Sequence, residues 1–139
     1  MRVDRRLHGR HGPRLHRSPV CKRDFNELRR HYRAKHRQAL AKWRSSFSPQ
    51  LASWYGPGFY GNRTACGQTY TTTIIGVAHK SLPCGTRIWF RFNGRLALAP
   101  VIDRGPYVGG RTWDLSGALK TRLGCSGVCT VWTTTKPKP

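Results

Sequence analysis

A small, closed, all-β barrel with one short helix, preceded by a basic N-terminal extension, is the fold class that this 139-residue chain predicts. Three observations lead there: short β-rich segments joined by Gly-rich links, one dipeptide that specifies a hairpin turn, and a change of composition near residue 50. Closure into a barrel is favoured because it leaves no unpaired sheet edge in a domain of short strands.

The extension comes first. Residues 1–50 carry fifteen Lys/Arg against Asp4, Asp24 and Glu27, whereas residues 51–139 carry eleven against Asp103 and Asp114, for a net charge of +21. Arg, His, Gly and Pro dominate the start, with no apolar run to offset the entropy of ordering, so residues 1–23 read as a disordered basic arm. From Asp24 onward Phe25, Leu28, Tyr32, Leu40 and Trp43 recur near helical spacing. Asp24 is expected to cap this helix and Ser45-Ser46 and Pro49 to end it, giving a basic helix and linker over 24–46 whose thin apolar stripe docks weakly on the domain. The start shows neither the 7 to 15 residue apolar core of a secretion signal nor a transmembrane run, so the sequence leaves the route of export open.

The domain is expected over 51–134, with 135–139 as a tail. Leu51 to Tyr55 forms a β-rich run before the Gly56-Pro57-Gly58 loop, and Thr72 to Ala78 is a second. Ile88 to Phe92 and Arg95 to Ala99 flank Asn93-Gly94, the pair best able to supply the two positive φ angles of a type I′ hairpin turn. The strand over Leu98 to Ile102 leads into Asp103, and Thr130 to Thr134 supplies the last strand. Leu115 to Leu123 reads as the one helix, with Asp114 or Ser116 as its cap and Gly124 as its stop.

Four cysteines, Cys66, Cys84, Cys125 and Cys129, lie in the domain, and four allow three pairings. Cys66 with Cys84 and Cys125 with Cys129 is favoured, since each pair flanks turn-like, Gly-containing sequence; free thiols are the alternative. Cys21, His31 and His36 bear a partial likeness to half of a zinc finger, but the second Cys is missing, so no metal or other cofactor is expected.

Five motifs then occur in one order: Ala52-Ser-Trp-Tyr-Gly-Pro-Gly58, Thr64-Ala-Cys-Gly67, Ala78-His-Lys-Ser-Leu-Pro-Cys-Gly-Thr86, Ile102-Asp-Arg-Gly-Pro-Tyr107 and Gly109-Gly-Arg-Thr-Trp-Asp-Leu-Ser116. In this they resemble the rare lipoprotein A family over residues 51–133. The resemblance implies a six-stranded double-psi β-barrel related to expansin and barwin domains. It also implies a lytic transglycosylase acting on peptidoglycan glycan strands, preferring those stripped of peptide.

Cleaving the β-1,4 bond between N-acetylmuramic acid and N-acetylglucosamine requires a proton for the leaving oxygen and stabilisation of an oxocarbenium-like centre. A lytic transglycosylase uses the sugar's C6 hydroxyl in place of water and leaves a 1,6-anhydro end. Asp103 and Asp114 are the only carboxylates of residues 51–139, and both lie between Val101 and Ser116. Either is a candidate acid, although Asp103 sits in an ordinary turn sequence and Asp114 can serve as a helix cap. Burial would raise the pKa of the acid, whereas Arg104 and Arg111 would lower it. His79, the one histidine of the domain, matches the family's Ala-His-Lys motif and is a candidate partner of substrate or carboxylate. Gln68 is the main departure: the family usually has Glu after Ala-Ser-Gly, and Thr71 stands where members often carry Asp. Gln keeps the shape and hydrogen bonding of Glu without its charge. Trp54, Tyr55, Tyr60, Tyr107 and Trp113 are candidates for stacking on sugar rings and Arg104 for substrate contact, with some of the five aromatics belonging to the core.

Peptidoglycan glycan strands are thus the expected partner, with anionic wall polymers as counter-charges for a basic surface, and a monomer outside the cytoplasm is expected. Two alternatives remain at this stage: an expansin-like or inactive wall-binding module, and a polyanion or nucleic-acid binder using the basic arm. Nucleic acid is not the expected partner, because no stacking motif of an RNA-binding type accompanies the Arg/His clusters.

Overall fold

The computed structural model describes residues 19–139. In chain order it contains α1 (Pro19–Arg44), β1 (Ser48–Trp54), a 3-10 turn (Pro57–Phe59), β2 (Val77–Ala78), β3 (Arg87–Phe92), β4 (Arg95–Asp103), β5 (Trp113–Leu115), α2 (Gly117–Leu123) and β6 (Cys129–Thr134). The six strands close into a barrel in the order β1-β5-β2-β4-β3-β6. β1 runs parallel to β5 and β2 parallel to β4, while the remaining neighbours are antiparallel. The expected fold is therefore present.

The helix starts at Pro19, ahead of the expected Asp24, and Asp24 lies inside it rather than capping it. Proline fits the first helical turn because its φ is preset and its missing N–H has no intrahelical partner there. Residues 19–23, expected in the arm, are thus helical, and residues 1–18 of the arm lie outside the described residues. By packing, the chain divides within α1 into units ending at Gln38 and beginning at Ala39. Phe25, Leu28 and Tyr32 of the apolar stripe are exposed, whereas Trp43, in the second unit, is buried. Trp43 packs edge-on against Phe47 and Trp89, and its Nε1–H donates to the Lys136 carbonyl at 3.0 Å. No helix among the described residues is long and apolar enough to cross a membrane.

Inside the barrel, three large side chains face small ones across the β3–β4 and β1–β5 pairings. Phe90 stands opposite Ala97, Ile88 opposite Ala99 and Trp113 opposite Ala52, and all six are buried. Such alternation fills a narrow barrel without voids. Asn93 and Gly94 take φ of 47° and 71°, the expected I′ hairpin between β3 and β4. Helix α2 plugs the core with Leu119 and Leu123. Ser116 caps it, accepting from the Leu119 N–H, and Gly124 ends it in the left-handed region at φ 75°. Asp114 is consequently not a cap but the middle residue of β5. Both favoured disulfides are present, Cys66–Cys84 and Cys125–Cys129.

Two expectations about strands are corrected. Of the β-rich run Thr72 to Ala78 only Val77–Ala78 is a strand, because its earlier residues have no neighbouring strand to pair with. Strand β5 escaped notice because three residues are too few for an alternating pattern to register.

One irregularity in the barrel decides where the acids point. Val77 pairs with Val101, but the next residue, Ala78, pairs with Asp103, so Ile102 is an extra residue in β4. A bulge of this kind shifts the alternation by one and re-aims the side chains beyond it. Without it, Asp103 would follow Ala97, Ala99 and Val101 into the barrel interior. The buried Ile102 side chain lies over Gly76, where a β-carbon would stand 2.7 Å from Cγ1 and 2.8 Å from Cγ2 of Ile102. Glycine is required at 76 by that close approach. Gly76→Ala should therefore destabilise the fold by about 1–3 kcal/mol, the usual cost of overpacking. Thermal or urea unfolding measures this, and an unchanged midpoint would show that Ile102 can yield.

Candidate active site

The bulge lines up four residues across four adjacent strands. Ser53 of β1 pairs with Asp114 of β5, Asp114 pairs with Ala78 of β2, and Ala78 pairs with Asp103 of β4. Residues in such a row share a face of the sheet, and strands lie about 4.8 Å apart, so the two aspartate α-carbons are separated by roughly 10 Å with only a methyl group between them. The row lies on the outer face, since Ala52, Val77 and Leu115, their strand neighbours, belong to the core.

The two carboxylates have different surroundings. Oδ1 of Asp103 accepts from the backbone N–H groups of Ala65 and Arg104, each at 2.8 Å, and Oδ2 accepts from the Tyr55 hydroxyl at 3.1 Å. Asp114 has one hydrogen-bond partner among the described residues, Ser53, whose hydroxyl donates to Oδ1 at 3.0 Å. Burial raises the pKa of Asp114, and the negative charge of Asp103 adds to the rise; the Ser53 hydrogen bond and the Arg111 charge oppose it without cancelling it. The competition left open by the sequence is won by burial. Burial, followed by the charge of Asp103, also raises the pKa of Tyr55, which stays a hydroxyl donor.

Tyr55 is held in place by aromatic packing. Its ring contacts Tyr70 at 4.9 Å and Phe59 at 6.0 Å between centroids, and Tyr60 stacks flat on the far partner, Tyr70, at 4.9 Å. The Tyr70 hydroxyl accepts from the Gly117 N–H, tying this cluster to α2. Burial raises the pKa of Tyr70 as well.

His79 follows Ala78, and its backbone N–H donates to the Asp103 carbonyl at 3.2 Å. Its Nδ1 accepts from the N–H groups of Ser81 and Leu82, so the neutral ring carries its proton on Nε2. The ring packs 4.6 Å from Trp113. Burial lowers its pKa, helped by the charges of Arg104 and Lys80, which keeps the imidazole neutral near pH 7. The Arg104 guanidinium is turned onto the same loop: Nη1 donates to the carbonyls of Leu82 at 2.7 Å and His79 at 3.3 Å, and Nη2 reaches Cys84 Sγ at 3.6 Å.

The structure thus gathers Asp103, Asp114 and Tyr55 on one face; His79 joins Asp103 through the backbone alone, its ring packing on the core residue Trp113, Arg104 turns its guanidinium onto the loop beyond His79, and the other candidates lie elsewhere. Trp113 is core, with its Nε1–H donating to Gln50. Trp54 lies on the opposite face of β1 from Ser53, packed against the core and covered by Lys120, whose Nζ is 4.0 Å from the ring centre. Tyr60 buttresses Tyr70, and Tyr107 is 82% exposed on the loop after β4. Gln68 accepts from the Thr64 hydroxyl at 2.9 Å, bracing the turn that presents Ala65 to Asp103 rather than joining the row. Ser53, Phe59, Ala65 and Tyr70 were missed by sequence reasoning. Ser53 stands inside the first motif and Phe59 directly after it, so both were within reach; the backbone role of Ala65 carries no sequence signal.

Residues 48–132 match the family model described as lytic transglycolase. A "Probable endolytic peptidoglycan transglycosylase RlpA" of Synechocystis is 44% identical over 76 residues, covering 53% of this chain and 24% of the relative. The endolytic peptidoglycan transglycosylase RlpA of Campylobacter jejuni is 46% identical over 75 residues, covering 52% of this chain and 27% of the relative. That of Pasteurella multocida is 34% identical over 130 residues, covering 88% and 42%. The chain thus spans less than half the length of these curated relatives. Among solved structures, the apo expansin of Clavibacter michiganensis superposes with a TM-score of 0.53 at 22% identity, covering 67% of this chain and 52% of the expansin. The papain inhibitor of Streptomyces superposes with a TM-score of 0.50 at 24% identity, covering 63% and 90%. These two likenesses speak to the fold alone. With all six strands inside or at the edge of the matched region, the chain belongs to the lytic transglycolase family of double-psi β-barrels.

Proposed function

We propose that this barrel cleaves the glycan strands of peptidoglycan as a lytic transglycosylase, with Asp114 as the acid. The observation that carries this reading is the pair of carboxylates on one face, one saturated with donors and the other nearly bare and shifted upward. Asp114 protonates the glycosidic oxygen as the bond to C1 of N-acetylmuramic acid breaks. The oxocarbenium-like centre lies against the negative charges of Asp103 and of the newly formed Asp114 carboxylate. Asp114 then takes the proton of the C6 hydroxyl as that oxygen attacks C1, closing the 1,6-anhydro ring and restoring the acid. Tyr55 orients Asp103, and the backbone N–H of His79 holds the end of the neighbouring strand against it. The exposed rings of Phe59 and Tyr107 suit the apolar faces of sugars. Two disulfides and a basic surface fit work outside the cytoplasm on an anionic wall.

A second reading, a wall-binding module that does not cleave, draws on Gln68 standing in the place of the family's Glu. Incubating the chain with peptide-free glycan strands and detecting 1,6-anhydro ends by mass spectrometry separates the two, since binding without product supports the module. For the enzyme, Asp114→Asn should lower the rate by about 10²-fold or more, the scale of losing a general acid. Full activity in that variant would remove Asp114 from the mechanism.

The pH dependence has a defined sign. The rate should fall as pH rises through the elevated pKa of Asp114. In Asp103→Asn the neighbouring negative charge is gone, the pKa of Asp114 drops, and the alkaline limb of residual activity should move to lower pH; a shift the other way would contradict the electrostatic coupling.

Stability follows the same group. A carboxyl whose folded pKa lies above its unfolded value weakens the fold progressively as pH rises between the two, and the full cost is present above the folded value. Asp114→Asn, which keeps an acceptor for Ser53, should therefore raise Tm at pH 7 more than at pH 3. Equal effects at both pH values would argue against a buried, ionised Asp114.

A further inference from the structure

Arg104 offers no carboxylate partner within reach among the described residues, and its guanidinium is spent on the loop carrying His79 and Cys84. Following the contacts outward from Asp103 gives a closed circuit. Oδ1 accepts from the Ala65 N–H; the next residue, Cys66, is bridged to Cys84; Arg104 Nη2 contacts Cys84 Sγ; and the Arg104 backbone N–H returns to the same Oδ1. The circuit is anchored to the barrel at two further points. The Cys66 N–H donates to the Ile102 carbonyl at 3.1 Å, and the Gly85 N–H donates to the Val101 carbonyl at 2.8 Å. Ala65 itself is exposed and lies in a loop outside the named strands; the Arg63–Thr69 bridge and the Thr64–Gln68 turn hold the base of that loop, and the circuit holds its tip against Asp103.

We infer that Arg104 and the Cys66–Cys84 disulfide are positioning residues: together they clamp two loops so that the N–H groups of Ala65 and Arg104 converge on Oδ1 of Asp103 and fix its carboxylate toward the substrate. This assigns Arg104 a task other than substrate contact. The fork of the guanidinium matters, because two carbonyls and a sulfur are reached at once from one planar group, which an ammonium cannot match. The kinetic part of the inference rests on the proposed lytic activity; the geometric part does not.

The test uses the full chain in three forms besides the parent: Cys66→Ala with Cys84→Ala, Arg104→Lys, and Cys125→Ala with Cys129→Ala as the control bridge. Hydrogen–deuterium exchange of the segment around Ala65 is measured alongside kcat and KM for release of 1,6-anhydro ends. In the first two variants exchange at the Ala65 amide should rise while the β3–β4 hairpin stays protected, and kcat should fall by about 10- to 100-fold with KM nearly unchanged, as expected for a misplaced catalytic group. The control bridge should lower Tm but leave Ala65 protection as in the parent.

Unchanged protection of Ala65 in both variants would overturn the inference whatever the rates do. A rise in KM alone on Arg104→Lys would also overturn it, returning Arg104 to substrate contact. Should the double cysteine variant fail to fold, Arg104→Lys carries the decision with the bridge intact. If the parent chain releases no product, the lytic reading fails while exchange at Ala65 still decides the clamp.

Discussion

The single extra residue in β4 is the constraint on which the candidate site depends. Ile102 has no partner on β2, and by taking up one position it turns Asp103 from the interior onto the face that carries Asp114. A regular ladder would have buried one of the two carboxylates in an apolar barrel, at a cost no hydrogen bond in that interior could offset. Three features follow from the same slip. Gly76 makes room for the displaced isoleucine, Ala78 ends up flanked by both acids, and the backbone of Ile102 is free to receive the Cys66 N–H.

Two residues of the same type are thereby given different chemistry by their surroundings. Asp103 is surrounded by donors and serves as a fixed acceptor; Asp114 is half-buried, has one hydroxyl partner and is pushed toward its protonated form. Each depends on the other, because the charge held at Asp103 is part of what raises Asp114. Tyr55 joins the two, donating to one while its own ionisation is suppressed by the burial that it shares with both.

Much of this was legible in the sequence wherever a local rule has a local cause. Asn93-Gly94 specified its turn, Ser116 and Gly124 bounded α2, and the pairing of cysteines across turn sequence held. The isolation of Asp103 and Asp114 in a basic domain singled out the pair that the barrel places on one face. What stayed hidden depends on pairing. Thr72 to Gly76 has the side chains of a strand but no neighbour, and Trp113 looked like a sugar platform until its register opposite Ala52 put it inside. Propensity describes what suits a pleated surface, not whether a second strand arrives to form one. The bulge is the extreme case, since Ile102 reads as one more apolar residue in an apolar strand.

The burial of Trp43 has a consequence for how this protein is divided. The family match begins at Ser48, yet the compact unit begins at Ala39, and the indole that closes against Phe47 and Trp89 comes from the last turns of the helix. The segment shared by descent and the segment that folds are not the same length. The barrel has recruited the end of its neighbouring helix, and the lysine-rich tail at Lys136, as part of its own wall. A boundary drawn by resemblance alone would remove Trp43 and Phe47 and uncover the ring of Trp89, an apolar patch whose exposure would register as lost solubility.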